Sequence, residues 1–350
     1  MQRMRNTFPL PRPDARSALA MTRPDAPQRS NGTMRTVGHA ARPEGKHIIE
    51  SGHPMNLDRR RFLTSTAAMT AATGISEARI AREKGVRLKL GLNGYSFDKP
   101  LRAGTMTLAD AVTFCAQQGV DALDPTGYYF PGYPNVPSDD YIYSLKRTAF
   151  VNGVAISGTG VRNDFATADA AARKKDVQMV KDWIVVASKL GAPVIRVFSG
   201  PKRPEGLPFE NAMDWMVADF RECAAFGKEH GVVVGLQQHN DFLKTADETI
   251  QVVHAVDSDW FGLILDIGSV RQSDPYVEIE KLVPHAVSWQ IKEMVGRKGV
   301  EEPTDLKKIK AIIDRSGYRG YVPFEALGAG DPRPKIISFL EKIRRDFGLA

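Results

Sequence analysis

Gln237, His239, Asp266, Gln290, Lys292 and Glu325 are the residues of this chain best suited to chemistry on a bound ligand. Each follows an apolar run. Val232-Val233-Val234-Gly235-Leu236 leads into Gln237-Gln238-His239-Asn240-Asp241, and Phe261-Gly262-Leu263-Ile264-Leu265 leads into Asp266. Ala286 to Trp289 leads into Gln290-Ile291-Lys292-Glu293, and Tyr321 to Phe324 leads into Glu325. A β-branched apolar run beside glycine reads as a buried strand, and a polar carboxyl end reads as side chains delivered to a site. Residues two apart on a strand share a face, so Gln237 and His239 point one way and Gln238 the other. Lys292 shares a face with Gln290 for the same reason. Asp266, Glu325, Gln237 and Gln290 together are oxygen donors. They suit a hard divalent cation, Mn²⁺ or Mg²⁺, and suit Zn²⁺ poorly. A buried carboxylate pair without a cation is costly, which is a physical reason to expect one. The alternative is that Asp266 and Glu325 cap helices or bind arginine.

The elements that must position these residues alternate along the chain from Leu88 onward. Strand patterns fall at 88–96, 122–125, 155–160, 193–200, 232–240, 261–268, 286–293 and 321–326. Helical patterns fall at 107–118, 138–151, 168–190, 208–230, 245–256, 275–283, 304–316 and 332–347, with Gly191 and Gly231 placed as helix stops. Eight strand–helix pairs with short links predict an α/β fold, a single-domain (β/α)8 TIM barrel, whose site lies at the carboxyl ends of the strands. An open doubly wound sheet would be expected to carry a G-x-G-x-x-G turn after an early strand. None is present.

Composition places the charge outside this region. The net charge is +7, but residues 1–87 carry 16 Lys and Arg against 7 Asp and Glu, and the remainder 32 against 34. A near-neutral barrel offers no nucleic-acid surface. Residues 1–54 are rich in Pro, Arg and Gly without period and are expected to be a disordered extension, and Met55 stands where an export signal normally begins, as an over-long start at Met1 would leave it. Arg59-Arg60-Arg61-Phe62-Leu63, the weakly apolar run 64–75 and Ser76-Glu77-Ala78 resemble a twin-arginine (Tat) signal and cleavage site spanning 55–87. Export to the periplasm or another extracytoplasmic space is the expectation, without stable membrane insertion, because the run is too short and polar to span a bilayer. Cys115 and Cys223 fall in apolar helical patterns and are expected to be buried thiols.

The strand-end motifs Gly235-Leu236-Gln237-Gln238-His239-Asn240-Asp241-Phe242, Leu265-Asp266-Ile267-Gly268, Trp289-Gln290-Ile291-Lys292-Glu293 and Gly317 to Glu325 resemble the xylose isomerase-like TIM barrels, in particular the sugar phosphate isomerase/epimerase family. The resemblance spans roughly 88–347. It implies metal ligands Glu, Asp, His and Glu on strands five to eight, matched here by Asp266 and Glu325 and replaced by Gln237 and Gln290. It also implies a pair of glutamates that remove and return a proton next to a carbonyl. Gln237 accepts no proton, so Glu325 needs another partner, and His239 on the same face is the best replacement. Lys292 is suited to stabilising a developing enolate oxygen.

A substrate wall is expected from the aromatic loop carrying Tyr128 and Tyr129, from Trp289 and, more weakly, Phe165, because sugars stack their C–H faces on such rings. Arg196, inside an apolar strand, is expected to hold a carboxylate or a substrate oxygen. The expected activity is isomerisation or epimerisation of a non-phosphorylated sugar or ketosugar, with a lyase reaction or a non-catalytic sugar-binding barrel as alternatives. The partner is then a small carbohydrate; homo-oligomerisation is left open. The DNA-repair branch of the same barrels needs several histidines at strand ends, and only His239 sits at one.

Overall fold

Short polar side chains open most of the helices and glycines close several of them. The computed structural model describes residues 88–239 and 242–349. The expected extension and export signal, residues 1–87, lie outside the described residues. Thr107 and Thr245 form capping boxes at the starts of helices α2 (Leu108–Gln117) and α6 (Ala246–Val256). Ser138 and Asp169 open α3 (Asp139–Val151) and α4 (Ala170–Leu190). Gly191 and Gly231 adopt the left-handed conformation that ends α4 and α5 (Phe209–His230). Cys115 and Cys223 are buried free thiols, and burial pushes the Cys115 pKa up to about 12.

The strands are β1 (Lys89–Asn93), β2 (Ala122–Asp124), β3 (Ala155–Ile156), β4 (Thr159–Gly160), β5 (Val194–Phe198), β6 (Val233–Gln237), β7 (Phe261–Asp266), β8 (Ala286–Lys292) and β11 (Tyr321–Glu325). The sheet order β3-β2-β1-β11-β8-β7-β6-β5-β4 closes on itself, because β3 and β4 are two pieces of the third barrel strand, interrupted at Ser157-Gly158. All pairings in this sheet are parallel. The predicted TIM barrel is therefore the observed fold.

Two elements were not legible in the patterns. A short helix, α1 (Asp98–Arg102), follows the first strand. An antiparallel hairpin, β9 (Met294–Arg297) and β10 (Val300–Pro303), follows β8. Its turn residues Lys298 and Gly299 both have positive φ, the geometry that two-residue hairpins demand. The remaining helices are α7 (Pro275–Leu282), α8 (Leu306–Ser316) and α9 (Pro332–Phe347). Among the described residues no helix is long and apolar enough to cross a membrane.

Candidate active site

Parallel register sets which strand-end side chains meet. Glu325 pairs with Lys292, Asp266 with Gln290, and Phe198 with Gln237. Gln237, His239, Gln290, Lys292 and Glu325 all line one cavity of about 520 Å³, together with Tyr128 and Arg196. Gln238 points away, as alternation requires, and its amide donates to the Asp266 carbonyl at 3.0 Å, tying β6 to β7.

The predicted quartet forms one hydrogen-bonded chain. Gln237 Nε2 donates to Asp266 Oδ2 at 2.6 Å and to Gln290 Oε1 at 2.9 Å. Gln290 Nε2 in turn donates to Glu325 Oε2. Asp266 also accepts from the Gly268 amide and the Ser269 hydroxyl, both at 3.0 Å. The two carboxylates fix which way both amides face, since an ionised carboxylate only accepts. Lys292 completes the group: its Nζ lies 2.9 Å from Glu325 Oε1 and 3.3 Å from Asp266 Oδ2. Burial works against the Lys292 charge, but Asp266 and Glu325 more than offset it, and its pKa is raised.

The opposite wall is built differently. Arg196 is buried, yet among the described residues no carboxylate lies within ion-pairing distance of it. Its Nη2 donates to the Tyr128 hydroxyl at 3.1 Å, its guanidinium sits against the Tyr128 and Phe198 rings, and its Nε has no partner. Gly160 leaves the room for it: a Cβ there would stand 2.7 Å from Arg196 Nε. Burial opposes the Arg196 charge, and the surrounding Tyr128, Asp124 and Glu325 outweigh that opposition, so its pKa is raised. His239 is exposed at the cavity mouth, with its ring edge-on to Phe198.

Comparison with known proteins places this barrel. The model of the xylose isomerase-like TIM-barrel family matches residues 112–343. The chain belongs to that family. Similar solved structures include a D-psicose 3-epimerase with D-tagatose from Clostridium cellulolyticum H10, at 20% identity and TM-score 0.59, covering 75% of this chain and 96% of that one. A 3-keto-D-glucoside 4-epimerase from E. coli aligns at 13% identity and TM-score 0.61, covering 74% of this chain and 100% of that one. A family protein from Mycobacterium smegmatis in complex with magnesium aligns at 19% identity and TM-score 0.57, covering 74% of this chain and 96% of that one. Among curated proteins none matches the chain in sequence.

Whether this family member's quartet fits a divalent ion can be judged from its donors. Gln237, Asp266, Gln290 and Glu325 do come together as the sequence predicts, but each amide presents an N–H to a carboxylate. The Lys292 ammonium stands against the two carboxylates that would carry most of the binding. Among the described residues no three His, Cys, Asp or Glu side chains cluster as ligands. In this arrangement the donors do not fit Mn²⁺ or Mg²⁺.

Three expected wall residues lie elsewhere. Trp289 neighbours inward-facing Gln290, so it points outward, where it is fully buried against Tyr318. Phe165 is buried against Phe220. Tyr129 does not line the cavity; its hydroxyl donates to Asp98 at 2.6 Å. Tyr128 is at the wall as expected. The sequence reading missed Asp124, which ends β2 on the Arg196 side. Burial pushes its pKa up to about 6, with Arg196 opposing and Glu325 adding to the rise. The strand-end criterion applied to Leu123-Asp124-Pro125 finds it. Met294 and Glu301, carried by the unforeseen hairpin, also line the cavity.

Proposed function

We propose that the chain is a sugar isomerase or epimerase that removes a proton α to the carbonyl of a non-phosphorylated sugar or ketosugar. The observation that carries this reading is the in-register Lys292–Glu325 pair at the cavity wall. Glu325 has one oxygen held by Gln290 and the other, Oε1, beside the ammonium without hydrogen-bond alignment. Oε1 is the base. As the C–H bond breaks, its electron pair moves into the new C=C bond and the carbonyl oxygen gains negative charge. The Lys292 ammonium donates to that oxygen, where a preorganised charge lowers the barrel's reaction barrier most. His239, on the cavity's other side chain set with Phe198, returns a proton to the intermediate, and the face it reaches decides between isomer and epimer. Arg196 and Tyr128 bind the sugar's oxygens. The structural neighbours D-psicose 3-epimerase and 3-keto-D-glucoside 4-epimerase agree with this class.

Export through the Arg59-Arg60 signal would place the enzyme where sugars are not phosphorylated, which supports the choice of substrate. A lyase reaction is favoured by one observation: Gln237 stands where a second proton acceptor would be needed, and elimination needs only one base. Incubation with a panel of keto-sugars in D₂O, followed by proton NMR, tests the proposal. Deuterium entering at the α-carbon is the expected result, and the product separates isomerisation from elimination. Sugar binding without exchange would instead support the non-catalytic barrel.

A further inference from the structure

Lys292 holds a position that nothing in the chemistry of a simple oxyanion donor requires. An amine could reach a substrate oxygen from many places on the rim. This one is placed between both buried carboxylates, 2.9 Å from one and 3.3 Å from the other. The placement is built from three sides. Register sets Lys292 beside Glu325 on the neighbouring strand. Gly268 leaves space for the lysine stem, since a Cβ there would come within 2.7 Å of Lys292 Cδ. The turn that carries Gly268 also donates its amide to Asp266, so the same segment orients the carboxylate and admits the lysine.

We infer that Lys292 is the resident cation of this site, a tethered ammonium that takes the place of a divalent metal ion, and that the enzyme works without one. The inference rests on the proposed sugar chemistry only for what the cation does, not for its presence. Asp266 and Glu325 carry two negative charges, and Lys292 leaves the group with one. A divalent ion bound to the same oxygens would sit about 2.0–2.2 Å from them. That position places it against the ammonium nitrogen, with like charges in contact. Asp266 already accepts from Gln237, Ser269 and Gly268, and Glu325 Oε2 from Gln290, so the carboxylate oxygen left open is Glu325 Oε1, the one the ammonium stands beside. Lys292 ion-pairs with both Glu325 and Asp266 and still lines the cavity, with its side chain 17% exposed. The site therefore keeps a fixed positive charge for a substrate oxygen without exchanging ions with its surroundings.

Titration with Mn²⁺, followed by calorimetry and by electron paramagnetic resonance of the free ion, tests this without any substrate. The full chain, stripped with chelator, gives no stoichiometric binding. The Gln237→Glu/Lys292→Ala variant, which exchanges the ammonium for a carboxylate and an open position, gains a one-to-one Mn²⁺ site. Stoichiometric Mn²⁺ binding by the wild type overturns the inference, and it does so whether or not the variant folds. Activity supplies an independent arm. Chelator leaves wild-type α-proton exchange unchanged if Lys292 is the cation, and abolishes it, reversibly with Mn²⁺, if a metal is. A wild type that exchanges no keto-sugar in any condition removes the proposed function, while the Mn²⁺ titration still decides the inference.

Discussion

The two cations on opposite walls of the cavity, half-buried Lys292 and buried Arg196, live in opposite circumstances. Lys292 touches two carboxylates, each already held by other donors. Arg196, on the far wall, has a phenol, two aromatic faces and an unpartnered Nε. A charge paired with two carboxylates is a fixture of the protein. A buried charge left open is costly unless something else completes it. Under the proposed function the difference divides the labour of the site: one wall carries the charge that acts on the reacting carbonyl, and the other meets oxygens that arrive with the sugar.

Breaking the paired wall has the largest effect. Lys292→Met leaves Asp266 and Glu325 buried without their cation, which costs about 3 kcal/mol of stability by analogy with broken buried pairs. It also removes the oxyanion donor, for a loss of roughly 10²–10³ in exchange rate. Chemical denaturation and the D₂O assay read the two effects separately. Glu325→Gln keeps the shape and the link to Gln290 but removes the base; exchange falls by about 10²–10⁴ while sugar affinity and fold persist.

The open wall gives smaller and different effects. Arg196→Met removes hydrogen bonds to the substrate and not to the reacting proton. It raises KM by about tenfold to a hundredfold, the worth of a charged hydrogen bond, with kcat changed less. Asp124→Asn gives the smallest effect on activity, and the sign of its effect on stability is fixed by the raised carboxyl. Because burial raises the folded-state pKa of Asp124 to about 6 from an ordinary 3.8, its contribution to wild-type stability is full below pH about 4 and is lost as pH rises through about 6. The variant, neutral throughout, therefore gains on the wild type across that window by roughly 3 kcal/mol and holds the gain above it. Denaturation midpoints at acid and neutral pH measure it.

The barrel was legible because an apolar run followed by an amphipathic helix repeats eight times, with glycine closing several of the helices, and each signal is local. The strand-end site was legible for the same reason: Gln237 and His239 share a face by alternation alone. The same alternation puts Trp289, next to Gln290, outside the barrel. The hairpin at 294–303 escaped because Met-Val-Gly-Arg and Val-Glu-Glu-Pro have no apolar period and Lys298-Gly299 is a weak turn signal. Asp124 escaped because its strand has only three residues. The role of Lys292 depends on the register between β8 and β11, and on a glycine on β7's following turn. Those are non-local facts, and no pattern within one segment contains them.

The central claim is that Glu325 and Lys292 together move a proton next to a sugar carbonyl, with the protein's own ammonium as the cation. The most direct measurement is α-proton exchange in D₂O by chelator-treated wild type, beside Lys292→Met and Glu325→Gln under the same conditions. Exchange by the wild type alone, undiminished by chelator, is the predicted result. Exchange that survives in either variant, or that the wild type shows only after a divalent ion is restored, would contradict it.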